Sequence, residues 1–377
     1  MSAPRVLVTG ATGKTGSAVA GELLAHGVTV RALVRTEDAR SRRLAEAGAE
    51  VVVADMFDHQ QVAAAMRDVQ RLYYVPPWHP HMLHSAVTFA TAARDEGVEA
   101  VVGLSQWLAQ PDHPSLATRQ NWLTDRLFDL VPDAAHVVVN PGFFADNYLQ
   151  GLIGLSAQLG ILPIPSGQGR NAPPSNEDIA RVVTAALLDP ATHDGATYRP
   201  TGPELIDARD MAGTLTDVLG RRVRHLDLPV WAFMRALKVM GPRFGIDRFQ
   251  MTGARWYYQE QKAGTWEVGA PTTHVRDLTG REPEDFTTIA QRYSRRSDTR
   301  RTPRNLARAL WDMTLIGLVP PPRLDRLVRL QQHPEPAMPS LSITSPHWQG
   351  SHAPGAGAAV VAAPEARRAR IHTVGGS

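Results

Sequence analysis

The 377-residue chain contains no cysteine, which excludes disulfides, thiolate catalysis and cysteine-ligated metal. Lysine is almost as scarce, with Lys14, Lys238 and Lys262 the only three, so arginine carries nearly all the positive charge. No segment approaches the roughly twenty consecutive apolar residues that a membrane-spanning helix needs. The first apolar run already starts at Arg5, so no signal peptide is expected ahead of it and a cytoplasmic location is the expectation. A basic body is lacking too. Residues 295–377 carry twelve Arg against five acidic residues, net +7, whereas residues 1–294 carry 28 basic and 32 acidic residues, net −4. The net +3 of the whole chain therefore belongs to its tail. The mildly acidic body offers no electrostatic footprint for nucleic acid, and direct nucleic-acid binding is not expected.

What is present at the start of the chain is more specific. Residues 5–9 form a short β-branched apolar run that breaks at Gly10-Ala-Thr-Gly13-Lys-Thr-Gly16 and resumes as an amphipathic helix over about 17–26. Gly27 is a helix stop, and residues 28–34 read as a second strand. Strand, GxxGxxG turn, helix and strand in this order point to a dinucleotide-binding βαβ unit. One glycine serves the tight turn, one the approach of backbone to a pyrophosphate, and one the packing of helix on strand. The pyrophosphate would rest on the positive end of the helix. A mononucleotide phosphate loop fits worse, because Gly13-Lys14-Thr15 lacks the four-residue spacer that GxxxxGK[ST] requires.

The end of the second strand separates the two nicotinamide cofactors. NAD sites usually place a carboxylate there, and NADP sites an arginine for the 2′-phosphate. Arg35 follows Val34, Glu37 and Asp38 come one turn too late, and Lys14 adds positive charge on the same side. NADP(H) is the expected cofactor.

Further along, residues 36–47 read as a helix and 50–54 as a third strand ending on Asp55, which can cap the next segment or bond the adenine. Asp58 is a helix N-cap. A fourth strand, 71–75, stops at Pro76-Pro77, and the loop 76–80 should pass beside the dinucleotide. His79, His81 and His84 follow, but their spacing and the lack of nearby acids do not make a metal site. They read as pocket lining, acid/base groups or ordinary loop residues. A helix over 84–96 leads to a fifth strand, 100–104, ending on Ser105.

Gly10-Ala-Thr-Gly-Lys-Thr-Gly16, Arg35, Asp55 and Gly97-Val-Glu-Ala-Val-Val-Gly-Leu-Ser105 together resemble an extended, atypical short-chain dehydrogenase/reductase of the NmrA-like type. Asn140-Pro-Gly-Phe-Phe-Ala-Asp-Asn147, Asp178-Ile-Ala180 and Thr201-Gly-Pro-Glu204 are similar to later signposts of that family, and the resemblance spans about residues 5–294. It implies an α/β fold: a doubly wound parallel-sheet Rossmann domain with a smaller, mostly helical C-terminal lobe. The expected division is 1–150 for the NAD(P)-binding core and 151–294 for a substrate lobe interleaved with it. Residues 295–377 would then be a basic helical tail rich in Pro, Ala and Gly.

The better-known catalytic members carry a Tyr and a Lys four apart on the helix after Ser105. Here that helix, about 114–130, contains neither, and Ala117 and Asn121 take those places. Loss of this proton relay leaves two readings. One is an NADPH-dependent reductase of an electron-poor acceptor, quinone-like or dye-like, which needs little acid help because it stabilises its own charge. The other is a non-catalytic NADP(H)-sensing regulator that acts through a protein partner. If chemistry occurs, Ser105, Arg119 and His113 are the catalytic candidates. The cofactor would be held by Gly10, Thr12, Gly13, Lys14, Thr15, Gly16, Arg35, Asp55, Pro76, Pro141 and Gly142.

A sixth strand, 136–140, leads through Pro141-Gly142 to an apolar helix over 148–160 and a Pro/Gly-rich loop, 163–174, expected to edge the pocket. Helices over 179–188 and 208–219 and a short strand at 222–226 follow. In the tail, six arginines between 295 and 308 overlap the start of an apolar helix over 306–319. Such a segment can pack on its own body or dock weakly, through residues 295–330, on a membrane or partner. From Pro334 onward disorder is expected.

Overall fold

A computed structural model describes residues 4–352 of the chain. The first half alternates strand and helix: β1 (Arg5–Val8), α1 (Lys14–Ala25), β2 (Thr29–Val34), α2 (Ala39–Glu46), β3 (Glu50–Val53), α3 (His59–Met66), β4 (Arg71–Tyr74), α4 (Met82–Asp95), β5 (Ala100–Leu104), α5 (Leu116–Phe128) and β6 (Ala135–Val139). After these come α6 (Ala145–Leu149), α7 (Ile153–Leu159), β7 (Ile161–Pro163), α8 (Asn176–Leu188), α9 (Pro190–His193), β8 (Thr197–Tyr198), α10 (Ala208–Leu219) and β9 (Arg224–Leu226). The rest is helical: α11 (Val230–Met240), α12 (Arg248–Lys262), α13 (His274–Thr279), α14 (Phe286–Ser294), α15 (Pro303–Leu318), α16 (Leu324–Gln331) and α17 (Pro346–His352).

Seven strands form one parallel sheet in the order β3-β2-β1-β4-β5-β6-β8. The strands are short continuous apolar runs because helices cover both faces. On one face Val19, Ala20 and Leu23 of α1 pack with Ile179, Val182 and Val183 of α8 and with Val275 of α13. On the other, Val62, Met66, Phe89, Ala93 and Phe128 come from α3, α4 and α5. The strand order reverses between β1 and β4, and such a switch point opens a crevice at the carboxyl ends of the strands. Thr9 ties the two exits together: its Oγ1 accepts from Val75 N at 2.7 Å, and its own N donates to Tyr73 O at 3.0 Å.

A second core, including Trp107, Phe143, Tyr148, Leu215, Trp266 and Trp348, lies under the C-terminal lobe. The small pair β7-β9 and helices α10 to α12 surround it.

The structure differs from the sequence reading in three places. The single helix expected over 148–160 is two, α6 and α7, with Gly151 between them. There a Cβ would lie 3.3 Å from Phe244 Cε2, so the break admits that ring. The 163–174 loop does not edge the cleft. It lies behind it, where Asn171 Nδ2 donates to Phe143 O at 2.6 Å. Disorder from Pro334 onward does not hold as far as His352. Ser342 N donates to Glu260 Oε1 at 2.6 Å, and Trp348, fully buried, donates from Nε1 to Trp107 O at 2.7 Å. The remainder of that expectation, 353–377, lies outside the described residues. The expected division at 294 falls at the end of α14, and Leu324 and Trp348 beyond it share the lobe's core. Among the described residues no helix is long and apolar enough to cross a membrane.

Candidate functional site

The glycine turn joins β1 to α1. Gly10 adopts φ +58°, the left-handed region that favours glycine. A Cβ at Gly16 would sit 2.2 Å from Gly10 O, and one at Gly13 3.0 Å from the same oxygen, so the turn closes only without side chains. The N-cap of α1 is Gly13, with no side-chain cap and no acid in the first turn. The opening amides of α1 therefore face outward without a side-chain partner, as an anion site requires. This cradle fits a dinucleotide pyrophosphate.

Two expected contacts are engaged elsewhere. The Lys14 ammonium pairs with Asp146 at 2.5 Å and bonds Gln150 and, at 3.3 Å, the Tyr293 hydroxyl. Thr15 is buried, and its Oγ1 donates to Asn176 Oδ1 of α8 at 3.2 Å. What these two can offer a phosphate is backbone N–H.

Arg35 is exposed directly after β2. Asp38, the nearby carboxylate, is already occupied. It caps α2 by accepting from Arg40 N and Ser41 N, and it pairs with the Arg40 guanidinium at 2.7 Å. Hydrogen bonds from Arg40 hold its pKa down at about 2. Arg40 Nη1 also reaches Thr12 O, at 3.4 Å, so a second arginine stands beside the glycine turn. Asp55, past β3, turns the chain by accepting from Phe57 N at 3.0 Å. Asp58 caps α3 as expected, accepting from Gln60 N and Gln61 N.

Beyond the carboxyl ends of β4, β5 and β6 lies a cleft of about 470 Å³, lined at its base by Val75, Pro76, Ser105, Gln106, Pro141 and Gly142 and closed by α11 and α12. Aromatic side chains dominate it. Tyr257 stacks on Phe143 at 5.8 Å between centroids and 24° between planes, Trp266 lies 5.1 Å from Phe143, and Trp78 meets Tyr257 edge-on at 5.5 Å. Asp146 is the one charged residue among the lining residues described. A wider groove of about 810 Å³, lined by Lys238, Ile246, Arg248, Arg323 and Leu327, lies on the far side of the 245–246 turn and includes no strand end.

The structure brings one of the three catalytic candidates to this cleft. Ser105 lines it, and its hydroxyl donates to Asp125 Oδ2 of α5 at 2.6 Å. His113 is fully buried and lies outside the lining. Its Nδ1 accepts from Ser115 N at 2.9 Å, which makes Nε2–H the donor to Glu260 Oε1 at 3.0 Å. Both ring nitrogens are thus used inside the protein, and burial holds the imidazole below its ordinary pKa. Burial would raise Glu260, but hydrogen bonds from His113 and Thr265 outweigh it and hold the carboxyl below its usual range. Arg119 also lies outside the lining. It is a staple, donating to His113 O at 2.6 Å and to Pro334 O at 2.5 Å.

At the places of the missing dyad, Ala117 is buried, and Asn121 lines the cleft with its Nδ2 donating to Ala117 O at 2.9 Å. His79 packs against Phe57, and His84 Nε2 meets Phe57 O at 3.1 Å. Among the described residues no group of acids and histidines could hold a metal.

Sequence reasoning missed Arg40 and Asp125. Asp125 had a signal. It lies one helical turn beyond Asn121, on the same face of α5. Tyr257 belongs to the aromatic-rich stretch 230–294, and its place on the cleft depends on how α12 packs.

The NmrA-like family model matches residues 2–113. The chain is 30% identical over 237 residues to an NAD(P)H azoreductase of Xenophilus azovorans, which covers 63% of this chain and 81% of that protein. It is 32% identical over 286 residues to (4-alkanoyl-5-oxo-2,5-dihydrofuran-3-yl)methyl phosphate reductase of Streptomyces griseus, covering 74% and 95%. Among solved structures, an NADPH-dependent quinone oxidoreductase of Escherichia coli, complexed with NADPH, superposes with a TM-score of 0.65 at 22% identity. That match covers 76% of this chain and 99% of the other. With the glycine turn, the sheet order and the β4 to β6 cleft in place, the chain belongs to the NmrA-like atypical short-chain dehydrogenase/reductase family.

Proposed function

We propose that the chain is an NADPH-dependent reductase of a flat, electron-poor aromatic acceptor, azo-like, quinone-like or a dye cation. The observation that carries this reading is the cleft itself. It lies at the strand ends where a nicotinamide would lie, and its walls include Trp78, Phe143, Phe144, Phe244, Tyr257 and Trp266, with no cation among the described lining residues. Aromatic faces favour offset stacking on a planar ring. The lack of cations disfavours a phosphorylated acceptor such as that named for the Streptomyces relative.

In this reading Gly10, Thr12, Gly13 and Gly16, with the opening amides of α1, hold the pyrophosphate. Arg35 takes the 2′-phosphate with help from Arg40, and Asp55 stands at the adenine end. Pro76, Pro141 and Gly142 wall the nicotinamide side. Bound NADPH supplies a hydride. The chain's own contribution is to stack the acceptor, exclude water and keep Ser105 at the base of the cleft. Residues 1–150 carry the cofactor, and the acceptor lies between them and 151–294.

A second reading, an NADP(H)-sensing regulator, draws support from α15. There Leu310, Trp311 and Leu318 are exposed on a helix that opens with Arg304 and Arg308, a surface for a partner. Consumption of NADPH and NADH with a panel of quinones, azo dyes and triarylmethane dyes, beside calorimetric binding of both cofactors, separates the two. Turnover with NADPH supports the reductase. Tight NADPH binding with no oxidation above background supports the sensor.

A further inference from the structure

Ser105, at the base of the cleft, and Asp125, outside its lining, are a closed pair. Each is 6% exposed, and their 2.6 Å hydrogen bond spans from the end of β5 to the last turn of α5. A serine hydroxyl has one proton to give. While Asp125 is ionised, that proton is committed to the carboxylate and the cleft sees only an acceptor oxygen. When Asp125 is protonated the bond can reverse, with the acid donating to Ser105 Oγ, and the serine proton is free to point at a bound molecule. Resting on the reductase reading above, we propose that Asp125 is a positioning residue that passes a proton through the Ser105 hydroxyl to the acceptor atom made anionic by reduction.

The surroundings favour a held proton. Burial is the main cause that raises the carboxyl to about 7, against the Ser105 bond and Arg126 and with a smaller upward push from Asp129. Several other ionisable groups on the packed elements are engaged with different partners, whereas the buried Tyr73 hydroxyl of β4 has none. From β6, His136 Nδ1 meets Asp129 Oδ1 at 2.9 Å. From α4, His84 meets Phe57 O, and from β4 the Tyr74 hydroxyl donates to Ser85. From α12, Tyr257 bonds Gln106 and Glu260 bonds His113.

The step balances for an azo acceptor: Ar–N=N–Ar′ + NADPH + H⁺ → Ar–NH–NH–Ar′ + NADP⁺. The hydride goes to one nitrogen and the N=N π bond opens. The other nitrogen takes the Ser105 proton, Ser105 takes the Asp125 proton, and the carboxylate recovers one from water. A triarylmethane cation is neutralised by hydride alone and needs no proton.

The test compares wild type, Asp125→Asn and Ser105→Ala, as full chains with NADPH, on an azo dye and on a cationic triarylmethane dye. The relay predicts that both substitutions lower azo kcat about 100-fold more than triarylmethane kcat, the scale of general-acid catalysis. Wild-type azo turnover should fall as pH rises through Asp125's titration, with no such fall for the triarylmethane dye. Independently of turnover, infrared spectra should lose a protonated-carboxyl band over the same pH range in wild type, and Asp125→Asn should lack it. Equal losses on both dyes, or no extra loss on the azo dye, would overturn the relay. If wild type reduced neither dye, the reductase reading itself would fall and the relay with it.

Discussion

The imidazole of His113 and the carboxylate of Glu260 meet at 3.0 Å with neither side chain exposed. Glu260 also accepts from Ser342 N and Thr265 Oγ1, so one buried carboxylate joins the start of α5, α12 and the C-terminal segment. Breaking such a pair from one side costs about 3–5 kcal/mol because the other group is left buried and uncompensated. His113→Gln should lower the melting temperature by several degrees, while the folded variant keeps its NADPH-dependent turnover. A large loss of kcat in protein that is fully folded would return His113 to the list of proton donors. The sign of the pH dependence follows from burial. The folded pKa of His113 lies below its unfolded value, so its contribution is complete above about 6.5 and is lost as pH falls through the folded value.

Arg35 stands unopposed at the end of β2, while Asp38 is engaged by Arg40 and by its own helix cap. A charge-assisted hydrogen bond is worth about 1.5–3 kcal/mol. Calorimetry on Arg35→Asp should therefore show NADPH binding weakened by about 10- to 100-fold, with NADH affected far less. Equal losses of the two cofactors would contradict this assignment of cofactor choice.

Trp348 fills the lobe from a segment whose composition reads as unstructured. Trp348→Ala removes a fully buried indole and its bond to Trp107 O, at a cost of about 3–5 kcal/mol. Denaturant unfolding should show that loss. An unchanged midpoint would mean that 340–352 does not hold the lobe together.

Asp125 predicts the opposite pH trend from His113. Its folded pKa, about 7, lies above the ordinary carboxyl value, so the native state holds a proton that the unfolded chain releases. Stability should fall as pH rises from about 4 to about 7. Asp125→Asn removes this slope, so the variant should gain in melting temperature relative to wild type as pH increases. Parallel stability curves for the two proteins would contradict a protonated Asp125.

The dinucleotide half was legible because its signals are local. Gly10 and Gly16 must be glycine for steric reasons confined to seven residues, and β1, β2 and β5 are apolar runs between turn residues. Asp58 announces its helix in the same way and caps it. The cleft was legible at its strand-end base, Ser105, Pro76, Pro141 and Gly142. Its walls and its hydrogen bonds join distant residues. His113 looked reactive until Glu260, 147 residues away, was seen to occupy it, and Lys14 looked free until Asp146 was placed beside it. β8 is two residues long, too short for a period to register. Trp348 and Ser342 were hidden by proline- and serine-rich neighbours, although burial of one indole can order such a stretch.

The proposed reaction is hydride transfer from NADPH to an aromatic molecule in the β4 to β6 cleft. The most direct test uses NADPH deuterated on both faces of nicotinamide C4, a cationic triarylmethane dye and mass spectrometry of the leuco product, whose central carbon does not exchange with water. One deuterium is expected on that carbon, at a rate that depends on the protein. Tight NADPH binding with no labelled leuco dye above the protein-free control would contradict it and leave the chain a cofactor-binding regulator.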